Sequence, residues 1–164
     1  QQSGGQFVEQ CTHVVDLARY LVGEVKTVQA FGTLAFQTDA TVTVEDAMTV
    51  NVQFASGALG TFQTGCFSRT GGAAPGVGLT VASASAVARF SSWGFDATID
   101  NGEGVQTLAG EPDIFERQAR AFVEAVRTGD RSLIACDYAD GLASLRVGLA
   151  ANRSLELGGQ PVSL

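Results

Sequence analysis

Hydrophobic residues along this chain repeat first with a helical period, then with a period of two, then with a helical period again. That order limits the architectures open to it. Phe7, Cys11, Val14, Val15, Ala18, Leu21 and Val22 recur at helical spacing across 6–22, and Gly23 supplies a C-terminal stop. From Val25 the period shortens. Val25, Val28 and the run 30–36 suit a buried strand, and Met48, Val50, Val52 and Phe54 alternate with Thr49, Asn51 and Gln53. Ala55-Ser56-Gly57-Ala58 predicts a hairpin turn, with Leu59 to Phe67 as the returning strand. Residues 68–78 (SRTGGAAPGVG) have the composition of a loop.

Further pairs of strands are predicted at 79–81 with 87–90, and at 96–99 with 105–108. Asp100-Asn101-Gly102-Glu103-Gly104 lies between the last two. This segment shares residues with calcium loops but not their spacing, so it is read as a turn. Helical spacing returns with Phe115, Ala119, Phe122, Val123 and Val126, closed by Gly129. It returns again with Tyr138, Leu142, Leu145 and Leu149, closed by Gly158-Gly159; residues 161–164 suit a short last strand. A run of strands bracketed by helices is the pattern of an α+β layer fold, not of a doubly wound sheet. No break in composition marks a second domain within the 164 residues.

Composition narrows the function. A formal charge of −7 repels a phosphate backbone and an anionic bilayer, so nucleic acid and membrane are not expected partners. No run approaches the roughly 18 apolar residues of a membrane span. The first residues lack the basic and apolar segments of a secretory signal. Cys11, Cys66 and Cys136 are too few and too scattered for a disulfide framework. They are expected to be reduced and mostly buried, in a cytoplasmic protein.

The chemistry concentrates on the first helix. His13 is the chain's one histidine, with Glu9 four residues before it and Asp16 three after, a spacing that gathers all three on one face. A carboxylate beside an imidazole suits proton transfer to or from a substrate hydroxyl. The same three residues also make an ordinary surface cluster that stabilises a helix, and spacing leaves both readings open. Metal binding would need a third ligand from elsewhere, and no metal is expected. Gly76 and Gly78 form a G-x-G, but it precedes a strand where a dinucleotide loop would follow one. There is no G-x-S-x-G elbow. Arg117, Arg120, Arg127 and Arg131 are read as a solvated face.

The segment GGQFVEQCTHVVDL, from Gly4 to Leu17, with LVGEV from Leu21 to Val25, resembles a signature of the glucose–fructose oxidoreductase/inositol dehydrogenase (Gfo/Idh/MocA) family. In that family a Gly-Gly segment, a carboxylate and a histidine four residues later open the second half of the protein. Val44-Glu45-Asp46-Ala47 through Gly60 is similar to the family's central hairpin, and 115–129 with 137–155 to its C-terminal helix pair. The resemblance implies a largely antiparallel open-faced sheet with helices packed on one face.

It also implies roles. His13 would exchange the proton of a sugar or polyol hydroxyl while hydride passes to NAD or NADP. Glu9 would bind substrate beside it, standing where the family usually has aspartate. Thr12 and Asp16 would bind or position substrate. Cys11 stands where the family often has glycine, and residues 68–78 would help select the substrate.

The family's Rossmann domain, with its glycine-rich loop and Glu-Lys-Pro segment, has no counterpart here, and Lys26 is the only lysine. On this resemblance the chain is a single C-terminal domain truncated at its start. It would bind no cofactor and turn over no substrate alone, and a lysine from the missing half would assist. The sheet face carrying Val50, Val52, Phe54 and Phe62 is expected to join copies into a homo-oligomer. The alternative is a non-catalytic binding or assembly module of the same fold.

Overall fold

A computed structural model describes residues 4–36, 39, 41–66, 76–91, 94 and 96–164. Most of the predicted 68–78 loop, and Phe67, lie outside the described residues. Two compact units form, one from 1–71 with 138–164 and one from 72–137.

In the first unit a π-helical turn, Phe7–Cys11, runs into α1, Thr12–Val22. Strands β1 (Val25–Thr33), β2 (Ala47–Phe54) and β3 (Leu59–Gly65) follow. Helix α3 (Tyr138–Glu156) and the short β8 (Val162–Ser163) complete the unit. The sheet order is β3-β2-β1-β8, antiparallel at each pairing. The β2–β3 turn falls at the predicted place: Phe54 N–H donates to the Ala58 carbonyl at 2.9 Å, and Gly57 takes φ +89°.

One face of this sheet is the core. Val28, Ala30, Met48, Val50, Val52, Phe54 and Phe62 are all buried, and Phe7 stands edge-on to Phe62 with ring centroids 6.0 Å apart. This corrects the residues expected between copies, because Val50, Val52, Phe54 and Phe62 are covered by the chain's own helical layer. The alternating positions Asn51, Gln53, Thr61 and Gln63 form the exposed face instead. Burying an aliphatic side chain such as Val50 stabilises by about 2 kcal/mol, so the layer closer at hand claims the apolar face.

The first helix buries part of its predicted stripe, and α3 buries a different one. Phe7, Cys11, Val15 and Ala18 are the buried line of the first helix, while Leu21 is exposed. On α3 the predicted Tyr138, Leu142, Leu145 and Leu149 are exposed, and Ser144, Val147, Gly148, Ala150, Ala151 and Ser154 face inward. Small residues let α3 come close: a Cβ on Gly148 would stand 2.9 Å from Val8 Cγ2. Ser154 is buried because it extends the short β8 edge. It accepts from the Ala30 amide at 2.9 Å and donates to the Gln160 carbonyl at 2.6 Å.

The second unit holds an antiparallel meander of β4 (Gly78–Ala82), β5 (Val87–Ser91), β6 (Asp96–Asp100) and β7 (Val105–Leu108). The β6–β7 segment is a turn, as read. Asp100 and Asn101 spend side-chain oxygens on the amides of Gly102 and Gly104. Helix α2 (Ile114–Thr128) ends at Gly129 in the left-handed region. Its stripe of Phe115, Phe122, Val123 and Val126 is exposed, against the expectation of a packed face. An amphipathic pattern shows that a face is apolar, not what covers it. Arg117, Arg120 and Arg127 are exposed and paired with Glu111, Glu116 and Glu124.

Candidate active site

The exposed side of the first helix carries the candidate pair. Glu9 and His13 are both exposed, opposite the line of Phe7, Cys11 and Val15 that anchors the helix to the sheet. A π turn is wider than an α turn. The four-residue step from Glu9 to His13 begins within it and therefore comes closer to one whole revolution than in an α-helix. The two residues are stacked on one side of a helix whose other side is fixed.

Asp16 is drawn off elsewhere. Its carboxylate accepts from Ser144 Oγ at 2.6 Å and lies 3.5 Å from Arg19 Nη1. The neighbouring helix α3 thus supplies a partner for Asp16. Thr12 lines a groove, too shallow to hold a water molecule, against Ser144, Leu145 and Gly148 of α3. Glu9 and His13 are thus exposed, while Thr12 and Asp16 also meet α3.

Arg19, which the sequence reading passes over, organises that second region. Its side chain is 4% exposed and forks onto Glu24, with Nη2 at 2.8 Å and Nε at 3.1 Å. It also reaches Asp140 Oδ1 at 2.9 Å and Ser144 Oγ at 2.7 Å. Hydrogen bonds donated to Glu24 above all, opposed by burial and reinforced by Asp140, raise the guanidinium pKa further. A basic residue three positions after Asp16 was the available signal.

Burial pushes the Cys11 thiol up to about 12, so it is a packing group without nucleophilic character. Cys66 and Cys136 are exposed, correcting the expectation of mostly buried thiols; none of the three is in a disulfide. No helix among the described residues is long and apolar enough to cross a membrane.

The described residues do not fit a dinucleotide. Binding of that kind uses a parallel βαβ unit with a glycine-rich turn, and every strand pairing described here is antiparallel.

A model described as the GFO/IDH/MocA C-terminal domain matches residues 1–82, half of the 164 and the half that contains Glu9 and His13. The chain belongs to the GFO/IDH/MocA C-terminal domain family. No curated protein matches it.

Among solved structures, levoglucosan dehydrogenase in complex with NADH and L-sorbose is similar over 98% of this chain and 50% of its own, at TM-score 0.78 and 20% identity. Aldose-aldose oxidoreductase from Caulobacter crescentus, complexed with glycerol, is similar over 98% of this chain and 48% of its own, at TM-score 0.77 and 23% identity. The WlbA dehydrogenase from Bordetella pertussis, in complex with NADH and UDP-GlcNAcA, is similar over 99% and 48%, at TM-score 0.73 and 21% identity. This GFO/IDH/MocA domain spans about half the length of the structures it matches. At these identities the likeness is one of fold: α+β, with antiparallel open sheets and helices.

Proposed function

We propose that this chain is the substrate-handling part of an NAD(P)-dependent oxidoreductase acting on a sugar, polyol or related hydroxyl compound. The observation that carries the reading is the exposed Glu9–His13 pair, one turn apart on a helix anchored from behind. Membership of the GFO/IDH/MocA C-terminal domain family supports it, as do the sugar and polyol ligands named for structures of the same fold.

When a carbinol is oxidised its hydroxyl proton must leave. An imidazole nitrogen of His13 accepts that proton and returns it in the reverse direction. Glu9 accepts a hydrogen bond from a neighbouring hydroxyl and so orients the carbon being oxidised. Glutamate reaches one methylene further than aspartate, which moves the anchored hydroxyl outward from the helix. Thr12 and Asp16 set the pose of the helix against α3, Asp16 through Ser144.

The nicotinamide cofactor belongs to a part of the protein outside these 164 residues, and the chain alone does not turn over substrate. Copies associate through the open sheet face bearing Asn51, Gln53, Thr61, Gln63 and the exposed Phe31 and Leu59. Cys66 and Cys136, exposed and outside any disulfide, fit a reducing compartment such as the cytoplasm.

The test is a screen of sugars, inositols and other polyols with the full-length protein and each of NAD and NADP, following reduction of the nicotinamide. Turnover of at least one such hydroxyl compound is expected. Binding of these compounds without turnover under either cofactor would favour the assembly or binding module instead.

A further inference from the structure

Two side chains from distant parts of the chain converge on the consecutive glycines that lead into the site helix. Asn152, on α3, donates from Nδ2 to the Gly4 carbonyl at 2.7 Å. Glu45, just ahead of β2, places Oε1 where a Cβ on Gly5 would fall, 2.2 Å from that position. Gly5 itself is buried with φ +92°, and its carbonyl accepts from the Glu9 amide at 3.1 Å. The orientation of the Gly5 peptide therefore bears directly on Glu9, and through the helix on His13.

Glu45 Oε1 and Asn152 Oδ1 are the buried side-chain oxygens without a hydrogen-bond partner among the described residues. A buried acceptor left without a donor is costly, so each such group calls for a reason. Here both stand at the same two glycines. In each case the rest of the side chain acts on the glycine backbone. The Asn152 amide ties down the Gly4 carbonyl, and the Glu45 carboxyl group fills the space that a side chain at residue 5 would need.

We propose that Asn152 and Glu45 are positioning residues that fix the Gly4–Gly5 lead-in and thereby aim Glu9 and His13. This deepens the proposed function and rests on its assignment of those two residues. Neither positioning residue touches substrate. Their work is to hold the backbone from which the reacting side chains project, where displacements of an ångström decide rate.

The single histidine makes the test clean, because every imidazole signal in the proton NMR spectrum of this chain is His13. Three variants are compared with the unchanged chain: Asn152→Asp, which keeps the shape but puts an oxygen against the Gly4 carbonyl; Glu45→Ala; and Val147→Ala. The last removes buried volume from the same α3 helix without touching the glycines, and thermal melting gives the stability lost in each. The expected result is that Asn152→Asp and Glu45→Ala shift or split the His13 ring signals, by several-fold more than Val147→Ala at a comparable loss of stability. Ring signals that stay in place in both variants would overturn the proposal, and so would equal displacement in Val147→Ala. A full-length His13→Ala enzyme with undiminished turnover would refute the catalytic reading while leaving this positioning result standing, so the two failures are distinguishable.

Discussion

Arg19 Nη1 donates to Ser144 Oγ at 2.7 Å, and Ser144 in turn donates to Asp16 at 2.6 Å, tying α1 to α3 through a buried guanidinium. The same guanidinium holds Glu24 and Asp140. The two carboxylates keep access to water, which limits what is lost when the arginine is removed. Arg19→Ala is expected to destabilise by about 2–3 kcal/mol through its charge-assisted hydrogen bonds. A lower urea midpoint at unchanged slope checks this.

Cys11 predicts an alkaline weakness. Its thiol stays protonated to about pH 12 in the folded chain but ionises near pH 9 when unfolded. Below pH 9 both states carry the proton and nothing changes. Above it the unfolded state alone releases the proton, so stability falls between pH 9 and about 12, by roughly 1.4 kcal/mol per pH unit. In Cys11→Ala this part of the alkaline slope disappears in a pH series of denaturant melts. At neutral pH, native alkylation modifies Cys66 and Cys136 and spares Cys11.

Much of the fold was legible because local rules were enough. The Gly57 turn, the Asp100–Gly104 turn, the Gly129 stop and the alternation in β2 all follow from residues close in sequence. The errors came where a distant partner decides. Val50 and Phe62 mark an apolar sheet face in the sequence, but only packing tells whether Phe7 or another copy covers it. On α3 the leucines mark the apolar stripe, yet close approach to the first helix selects Ser144 and Gly148, and the sheet selects Ser154. At the candidate site, the shared exposed face of Glu9 and His13 was readable from spacing. Arg19, Glu45 and Asn152 were not, since each acquires its role from an element far along the chain.

Ser154→Ala isolates one of those long-range links. It leaves the Ala30 amide without its acceptor and the Gln160 carbonyl without its donor. A loss of about 1–3 kcal/mol is expected, with amide exchange accelerated at Ala30 more than at its neighbours in β1.

Gly5→Ala tests the lead-in from the other side. A φ of +92° costs an L-residue roughly 1–2 kcal/mol, and Glu45 must also swing away. Adding Glu45→Ala should recover the steric part and leave the backbone part. The two substitutions are therefore expected to be non-additive in a double-mutant cycle.

Turnover of sugars and polyols by the full-length protein, as wild type and as His13→Ala, tests the central claim most directly. Loss of the proton-accepting imidazole is expected to lower kcat by about 100-fold or more, with substrate still bound. A His13→Ala enzyme that oxidises its hydroxyl substrate at the wild-type rate would contradict the account.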